Sequence, residues 1–309
     1  MTGRIVVLEP FGVAAQMGAA LERLEILTWD GSGPPRADDL ARIDFYVMPY
    51  TFEQVTGEVI ARMPRLRVIQ TLTAGVEHVT PFLRKGITLC NARGVHDAST
   101  AELAVALTLA ALRGVADFVR AKERAEWAHS ERQSLADKTV LIVGYGSIGA
   151  AVETRLRPFE CDVLRVARRA RDGVAGFGEL PTLVDWADVV VLTVPLTDQT
   201  RGLVDATFLA RMRDGALLVN VSRGAVVDTD ALLAELFAGR IGAALDVTDP
   251  EPPPAGHPLW SAPNLILTPH VGGNTSAFRP RAVRLMTAQL ERFARGEPLA
   301  NVVVDGGSR

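Results

Sequence analysis

The sequence of 309 residues lacks the features of disulfide-stapled, membrane-bound or nucleic-acid-binding proteins. Its two cysteines, Cys90 and Cys161, lie far apart and show no pairing pattern, which suits a reducing cytosol and excludes a cysteine-based zinc site. No apolar run approaches the ~18–20 residues that a membrane helix needs, and the N-terminus shows no signal-peptide pattern. The formal net charge of −3 argues against a general nucleic-acid binder.

Two motifs of hydrolytic enzymes are also absent. No His-x-x-x-His pattern occurs that would hold a zinc ion, and no Gly-x-Ser-x-Gly pattern occurs that would expose a nucleophilic serine. We therefore expect neither a metal site nor a serine hydrolase. Four histidines have no partner motif and are expected at the surface or in loops: His78, His96, His129 and His257.

The order of predicted elements is typical of an α/β protein with two domains. Apolar residues make up 48% and charged residues 22%, near the average for globular chains. Short β-branched segments alternate with segments of helical periodicity, which indicates βαβ units and mostly parallel sheets. The predicted strands form two series, at residues 4–8, 24–28, 43–48, 67–72 and 87–91, and at 139–143, 162–167, 189–194, 216–222, 242–247 and 265–268.

The predicted helices divide these strands into two domains. Helices are expected at residues 53–62 and 148–158, and a long helix at 99–123, capped by Ser99 or Thr100, could bridge two domains. The last helix, 275–295, is expected to return to the first domain, which otherwise lacks a closing element. We predict one domain from residues 1–97 and 275–309 and a second from 98–274.

A glycine-rich loop opens the second series of strands. Residues 143–149 read Val-Gly-Tyr-Gly-Ser-Ile-Gly, which places the pattern G-x-G-x-x-G between a strand and a helix, as a dinucleotide-binding loop requires. Gly144 permits the tight turn, Gly146 lets a pyrophosphate approach the backbone, and Gly149 lets helix and strand pack closely. Free amides at the helix N-terminus would face the phosphates. The alternative is a glycine-rich turn without a ligand.

The next strand lacks the acidic residue that binds the ribose hydroxyls in NAD sites. It ends at Ala167, and Arg168 and Arg169 follow at once. Two guanidinium groups suit the 2′-phosphate of NADP. We therefore expect NADP as the preferred cofactor, with NAD possible. The alternative is that both arginines lie on a solvated basic loop.

Four segments, in order, resemble the D-isomer-specific 2-hydroxyacid dehydrogenases of the glyoxylate/hydroxypyruvate reductase type. They are residues 143–149, 217–228, 244–252 and 264–273. The resemblance implies two doubly wound α/β domains, a Rossmann cofactor domain and a flavodoxin-like substrate domain. It also implies a homodimer that is built around the cofactor domain, with the long helix contributing.

The resemblance further implies the site residues. The catalytic ones are Arg223 in Ser-Arg-Gly, Glu251, and His270 in Thr-Pro-His. Gly75 and Val76 match the loop whose amides bind the substrate carboxylate, and Arg223 is implied as a substrate residue in addition to its catalytic role. The implied cofactor residues include Asp246 on the nicotinamide side, and the full set is Gly144, Tyr145, Gly146, Ser147, Ile148, Gly149, Arg168, Arg169, Val194, Pro195, Val221, Ser222, Asp246, Gly272 and Gly273.

These residue types also suit hydride transfer without reference to a family. Moving a hydride between C2 of a 2-hydroxy acid and a nicotinamide needs a group that exchanges the hydroxyl proton, and a histidine such as His270 is suited to it. A carboxylate such as Glu251 can orient the ring, and the planar fork of Arg223 can hold a carboxylate or carbonyl oxygen. Taken singly, each could be a surface ion pair, a turn residue or a solvated acid; their order beside a dinucleotide loop favours a site.

We therefore expect an oxidoreductase that transfers a hydride between NADP(H) and a small 2-oxo or 2-hydroxy acid such as glyoxylate or hydroxypyruvate. One alternative, a phosphoglycerate- or phosphoerythronate-type dehydrogenase, needs a basic pocket for which Arg93 is the single candidate. Formate oxidation is disfavoured, because the position of Glu251 holds an amide there. A cofactor-sensing, corepressor-like binding protein is disfavoured by the low basic charge. The substrate side-chain pocket is expected around residues 50–52 and 75–78.

Overall fold

The computed structural model describes residues 4–17, 22–50 and 56–307. The chain divides into two compact units, Met1–His96 with Ser276–Arg309, and Asp97–Thr275. The start of the helix predicted at 53–62 and part of the loop predicted at 50–52 lie outside the described residues. Within the described ranges, none of the helices has both the length and the apolar composition to cross a membrane.

The first unit is built on a six-stranded sheet in the flavodoxin-like strand order. The order is β13-β5-β4-β3-β1-β2, parallel throughout except that β13 runs antiparallel to β5. Its elements are β1 (Ile5–Glu9), β2 (Leu24–Thr28), α1 (Ala37–Leu40), β3 (Phe45–Val47), α2 (Thr56–Ala61), β4 (Val68–Gln70), β5 (Thr88–Cys90), α9 (Phe278–Arg295) and β13 (Val302–Val304).

Helix α9 packs on this sheet through one apolar stripe. Ala282, Met286, Leu290 and Ala294 recur every four residues and are buried in one cluster with residues of β1, β3 and β4. On the same side, the ring of Phe45 in β3 contacts the ring of Phe293 edge to face, with 5.1 Å between centroids. The last helix is therefore part of the core of the first unit.

The second unit is a seven-stranded parallel sheet in the Rossmann order, β12-β11-β10-β9-β6-β7-β8. Two apolar clusters cover its faces, which explains why its central strands are apolar along their whole length. Its elements are α3 (Asp97–Leu112), α4 (Val115–Glu123), β6 (Thr139–Val143), α5 (Ser147–Leu156), β7 (Asp162–Ala167), β8 (Ala175–Gly176), α6 (Leu180–Val184), β9 (Val189–Leu192), α7 (Ala206–Arg211), β10 (Leu217–Asn220), α8 (Thr229–Phe237), β11 (Gly242–Leu245) and β12 (Leu265–Leu267).

The prediction of one long helix at 99–123 is wrong, because two helices occupy this stretch. α3 ends at Leu112 and α4 begins after Gly114, whose φ of +63° departs from the helical path. The caps were also misplaced. α3 begins at Asp97, so Ser99 and Thr100 are buried within its first turn, where the Ser99 hydroxyl lies 2.8 Å from that of Thr275.

Two short strands have no counterpart among the predictions. β8 has two residues, and β13 is a partly exposed antiparallel edge strand. Each lies at the edge of its sheet and has too few residues to show a period. Several predicted strands extend one or two residues beyond the observed ones, because apolar residues continue into the turns at the strand ends.

Candidate active site

The three glycines of the loop between β6 and α5 differ in how much space a side chain would have. Gly144 has a φ of +105°, and a Cβ there would lie 2.6 Å from the carbonyl carbon of Thr193. A Cβ on Gly149 would lie 2.8 Å from the carbonyl oxygen of Gly144. A Cβ on Gly146 would meet nothing within 4 Å, so space is open over the middle of the loop. This combination fits a loop that admits a pyrophosphate to its backbone.

Neighbouring strands fix the loop from both sides. The amides of Gly144 and Tyr145 donate to the carbonyl of Val166 in β7, at 2.9 and 2.8 Å. On the other side, the hydroxyl of Thr193, just after β9, donates to the carbonyl of Gly144 at 2.8 Å. Thr193 was not among the predicted site residues, although a polar residue after a run of valines and leucine is a usable signal. The loop thus lies where the strand order reverses between β6 and β9, the usual ligand position in open α/β sheets.

A charged network lies behind the loop. The buried carboxylate of Glu153 in α5 accepts two hydrogen bonds from the guanidinium of Arg165 and one from the hydroxyl of Tyr145. The bond from Arg165 is the main reason that the pKa of Glu153 falls to about 2, although burial acts in the opposite direction. The bond to Glu153 in turn raises the pKa of the Tyr145 hydroxyl. The network ties the middle of the glycine loop to α5 and β7.

The predicted ribose-end arginines follow β7 directly. Arg168 and Arg169 are both exposed, beyond Ala167 at the strand end. Across the part of the chain that the structure describes, neither side chain forms an ion pair with a carboxylate. Both are therefore available to an anionic group at this edge of the sheet.

His270 and Glu251 come together although 19 residues separate them. Nδ1 of His270 lies 2.6 Å from Oε1 of Glu251, and the other carboxylate oxygen accepts the amide of Thr248 at 3.3 Å. An ionised carboxylate can only accept, so Nδ1 carries the proton and Nε2 is the nitrogen that can exchange a proton with a substrate. This assigns the tautomer from the hydrogen bond.

The carboxylate of Glu251 is held in its ionised form. Partial burial raises its pKa, but the hydrogen bond from His270 and the positive charges of His270 and Arg223 outweigh burial. The pKa of Glu251 is therefore below its ordinary value. The two side chains of the pair are about one-third exposed, 31% for His270 and 38% for Glu251, so the pair is open to a substrate.

Asp246 shapes the turn that carries His270. This carboxylate is 2% exposed and accepts the hydroxyl of Thr268 at 2.6 Å and the amides of Val271 and Gly272 at 2.9 and 2.8 Å. Its carbonyl accepts the amide of His270 at 2.8 Å. These bonds hold His270 at a φ of +52°, in the left-handed region that residues with side chains rarely adopt. The resemblance implied a position for Asp246 on the nicotinamide side, and this second role was not predicted.

Arg223 lies on a loop that is fixed by an asparagine at the end of β10. The side chain of Asn220 accepts the amide and the hydroxyl of Ser222, at 3.0 and 2.7 Å, and donates to the carbonyl of Arg223 at 3.0 Å. A Cβ on Gly224 would lie 1.8 Å from the carbonyl oxygen of Thr248, so this loop packs directly against the segment that leads to Glu251. Sequence reasoning missed Asn220, whose signal is an amide that ends an apolar strand.

The remaining predicted cofactor residues lie at the same edge of the sheet. Val194, Val221 and Ser222 are buried where the chain leaves β9 and β10, and Pro195 beside them is exposed. Ser147 and Ile148 open α5, and Gly272 and Gly273 follow His270. Because the strands are parallel, their carboxyl ends bring all these loops to one side of the second unit.

In the first unit, a threonine and an asparagine shape the predicted carboxylate-binding loop. The hydroxyl of Thr73 donates to the carbonyl of Gly75 at 2.6 Å, and the side chain of Asn91 donates to the carbonyl of Ala74 at 2.8 Å. Within the described residues, the amides of Gly75 and Val76 meet no protein acceptor. Carbonyls are thus bound internally while two neighbouring amides are left to bind an anion.

His96 lies in the bend before α3, which agrees with the prediction of a loop residue, but its side chain is buried. It is 6% exposed, and its ring stacks on Phe278 at 5.3 Å and on Tyr50 at 5.5 Å between centroids. Its Nε2 lies 2.7 Å from the carbonyl oxygen of Leu72. This burial was not predicted, because the three rings come from separate segments of the chain and no local pattern reveals their contact. Tyr50 is thereby placed in an aromatic cluster, whereas Phe52 lies outside the described residues.

Comparison with known proteins gives one consistent family. Residues 105–272 match the model of the D-isomer specific 2-hydroxyacid dehydrogenase, NAD binding domain. The glyoxylate reductase/hydroxypyruvate reductase of Homo sapiens is 32% identical over 293 residues, covering 89% of each chain. A D-3-phosphoglycerate dehydrogenase of Archaeoglobus fulgidus is 32% identical over 260 residues, which are 81% of this chain and 49% of that protein.

A solved structure extends the similarity to nearly the whole chain. It is the D-isomer specific 2-hydroxyacid dehydrogenase from Xanthobacter autotrophicus Py2 in complex with NADPH and MES. It superposes with a TM-score of 0.78 at 27% identity, covering 99% of this chain and 100% of that one. The two-unit fold is therefore shared by a protein that was crystallised with a phosphorylated nicotinamide cofactor.

The network behind the glycine loop predicts an acid-dependent stability. The pKa of Glu153 is about 2 in the folded protein, against an ordinary value of 4.5, so its stabilisation is present above about pH 4.5 and is lost as the pH falls towards 2. The difference in unfolding free energy between the wild type and Glu153→Gln should be constant near neutrality and shrink steadily below about pH 4.5. Urea denaturation at a series of pH values measures it.

The matched control is Glu291→Gln, because Glu291 pairs with Arg295 on the surface of α9, at 3.4 Å. This variant should differ little from the wild type at any pH. A Glu153→Gln penalty that stays the same from pH 7 to about pH 3 would contradict the ion pair with Arg165.

Proposed function

Because the chain belongs to the D-isomer specific 2-hydroxyacid dehydrogenase family, we propose that it transfers a hydride between NADP(H) and a small 2-oxo or 2-hydroxy acid such as glyoxylate or hydroxypyruvate. The observation that carries the proposal is the pair of His270 and Glu251, held at the same sheet edge as the dinucleotide loop. When bound, the nicotinamide supplies or accepts the hydride at C2 of the substrate. Since Cys90 and Cys161 are both free thiols, we place the enzyme in the cytosol.

The chain itself contributes proton transfer and anion binding. In reduction, protonated His270 gives the proton on Nε2 to the substrate oxygen that becomes the hydroxyl, and in oxidation the neutral ring takes it back. Glu251 accepts the hydrogen bond from Nδ1 and thereby orients the ring. In the second unit, the planar guanidinium of Arg223 is suited to hold an oxygen of the substrate. In the first unit, the amides of Gly75 and Val76 are suited to bind an anion such as a carboxylate.

Phosphoglycerate oxidation is the alternative within the same chemistry, since a phosphoglycerate dehydrogenase is among the relatives. A phosphate on the substrate would require several cations beside the loop of Gly75 and Val76. Arg93 is the single candidate, and it is exposed. Formate oxidation is disfavoured, because the resemblance implies an amide in its place where this chain has Glu251. A corepressor-like binding protein would not turn over a substrate, so an activity assay with 2-oxo acids distinguishes it from a dehydrogenase.

Replacement of His270 tests the proton-transfer role. His270→Ala removes the nitrogen that exchanges the substrate proton. The variant should therefore lower kcat by about 10²–10⁴-fold and leave the affinity for NADPH nearly unchanged. Steady-state kinetics with glyoxylate and a fluorescence titration with NADPH measure both. His257→Ala is the control, since the ring of His257 only accepts the amide of Leu259. If folded His270→Ala has a kcat near that of the wild type, His270 is not the proton-transfer residue.

The ribose end predicts the cofactor preference. Ala167, Arg168 and Arg169 stand where an acid would repel a 2′-phosphate, and one charged hydrogen bond contributes roughly 1.5–3 kcal/mol. A preference for NADPH over NADH of about tenfold or more in kcat/KM is therefore expected. The ratio is measured by following the absorbance of the reduced cofactor during turnover of a panel of 2-oxo acids, with NADPH and with NADH.

The double variant Ala167→Asp with Arg168→Ala should lose activity with NADPH and keep or gain activity with NADH. A wild type that prefers NADH would refute the ribose-end assignment, although it would leave the dehydrogenase assignment in place. No turnover of any 2-oxo acid with either cofactor would refute the enzyme itself.

We also propose that the protein is a homodimer, formed through the second unit around α3 and α4. A groove of about 940 Å³ runs along these helices, lined by residues of α4 such as Arg120 and by the segments that lead into β10, β11 and β12. Trp260 lines the groove and is exposed, and α4 itself exposes the apolar side chains of Val115, Phe118 and Val119. Clustered exposed apolar groups of this size mark interaction surfaces in soluble proteins.

Charge on this surface should dissociate the dimer. Phe118→Asp combined with Val119→Asp places two carboxylates on the exposed apolar face of α4, which a buried interface would not tolerate. Light scattering coupled to size exclusion should give twice the chain mass of 33.2 kDa for the wild type and the monomer mass for the variant. Trp186→Asp is the control, because Trp186 is also an exposed apolar side chain but lies between α6 and β9 and not on α4. A monomeric wild type would refute the proposal.

A further inference from the structure

Tyr145 carries the only side chain between the first two glycines of the dinucleotide loop. Gly144 and Gly146 flank it, and glycine loses more conformational freedom on ordering than any other residue. A Cβ on Gly146 would meet nothing within 4 Å, so within the described residues nothing beyond its chain neighbours packs over this position. The conformation of the turn therefore depends largely on the bonds that Tyr145 makes.

Each polar group of Tyr145 is bonded to a different segment of the second unit. Its amide donates to the carbonyl of Val166 in β7 at 2.8 Å, and its carbonyl accepts a hydrogen bond from the guanidinium of Arg171 after β7. Its hydroxyl donates to Oε2 of Glu153, in the second turn of α5. The side chain thus reaches along the helix that the loop opens and fixes a turn that its two glycines would leave mobile.

Glu153 is a firm acceptor for this hydroxyl. Its side chain is buried, and Nε of Arg165 donates to the same carboxylate oxygen at 2.8 Å. The bond from Arg165 is the main reason that the pKa of Glu153 is about 2, and the bond to Glu153 raises the pKa of the Tyr145 hydroxyl. At neutral pH the carboxylate is therefore ionised and the hydroxyl protonated. The guanidinium carbon of Arg165 also lies 5.8 Å from the centre of the Tyr145 ring.

The conformation of Tyr145 determines where α5 begins and which amides stay open. In a continuing helix the carbonyl of Tyr145 would accept the amide of Gly149, four residues on, but it accepts the guanidinium of Arg171 instead. Within the described residues, the amides of Ser147, Ile148 and Gly149 meet no protein acceptor. Three open amides at a helix N-terminus suit the pyrophosphate of a dinucleotide.

We propose that Glu153 and the hydroxyl of Tyr145 are positioning residues for the nicotinamide dinucleotide. Their hydrogen bond holds the loop, before a cofactor binds, in the conformation that keeps the three amides open. Binding then does not have to order a turn with two glycines, so more of the binding free energy remains as affinity. The assignment rests on the cofactor of the proposed function, and it concerns the pyrophosphate that NADP and NAD share rather than the choice between them.

Tyr145→Phe isolates the hydrogen bond. It removes one oxygen and retains the ring and the ion pair of Glu153 with Arg165. Calorimetric titration with NADPH and with NADH gives the dissociation constants of the wild type, Tyr145→Phe, Glu153→Gln and the double variant. The titrations are made at a temperature at which circular dichroism shows every variant to be folded, so that a loss of stability alone leaves the dissociation constants unchanged.

Two controls separate the loop from the rest of the unit. Adenosine is the ligand control, because it lacks the pyrophosphate, and its binding is followed by NMR titration. Glu235→Gln is the variant control. Glu235 on α8 also pairs with an arginine, but its partner Arg240 precedes β11 and so lies at the opposite edge of the sheet from the glycine loop.

Tyr145→Phe should weaken NADPH and NADH by the same factor, about three- to tenfold, since a side chain of the loop must then be ordered on binding. Glu153→Gln should weaken both at least as much, because an amide donor then faces the donors of Tyr145 and Arg165. The double variant should bind no more weakly than Glu153→Gln, since both changes break one hydrogen bond. Adenosine should bind all variants alike, and Glu235→Gln should bind both cofactors as the wild type does.

The possible results are distinguishable. If folded Tyr145→Phe binds both cofactors as tightly as the wild type, its hydroxyl is not a positioning group. If adenosine is weakened as much as the cofactors, or if the two single effects add in the double variant, the residues support the unit in general and the proposal is wrong. A wild type that binds neither dinucleotide refutes the cofactor and the positioning role together. A wild type that binds a dinucleotide but turns over no 2-oxo acid refutes the proposed reaction alone, and the binding results still decide the role of Tyr145.

Discussion

The buried carboxylate of Asp246 is the constraint on which the geometry of the site depends. An ionised carboxylate in the interior is costly unless several donors satisfy it, and Asp246 has the hydroxyl of Thr268 and two consecutive amides after His270. These donors can all reach it only if the chain turns sharply at His270, in the left-handed conformation observed there. That turn directs the imidazole towards Glu251. Asp246, which accepts the hydrogen bonds of this turn, therefore also sets the orientation of the His270 ring.

The parallel sheet then explains how distant segments meet. The glycine loop, the loop of Arg223, and the segments of Glu251 and His270 leave the sheet at the carboxyl ends of β6, β10, β11 and β12. Contact between these loops is close enough to involve the backbone itself. Gly144 packs on Thr193, and Gly224 packs on Thr248, at distances that leave no room for a Cβ. Glycine at these two positions is thus a condition for assembling the site.

Some of this structure was predictable from sequence for clear physical reasons. The bounds of β6 and β7 agree with the prediction, because each strand is a short apolar or β-branched run with polar residues at its ends. The two-domain α/β class follows from the alternation of such runs with helical segments. The break at Gly114 did not, because apolar periodicity continues on both sides of it. A polar residue after an apolar strand marks Thr193 and Asn220 in the sequence, but it does not show their partners. The bond from Thr193 joins residues 49 positions apart, and those of Asn220 reshape a turn.

Nitrogen NMR of the His270 ring tests most directly whether these carboxylates prepare the histidine for proton transfer. The chain has five histidines, so comparison with His270→Ala assigns the signal. Since Glu251 accepts from Nδ1 and Asp246 fixes the turn, neutral His270 should carry its proton on Nδ1, with Nε2 unprotonated. Asp246→Asn, which replaces an acceptor oxygen with a donor, should reduce this preference. A neutral wild-type ring that carries its proton on Nε2 would contradict the account.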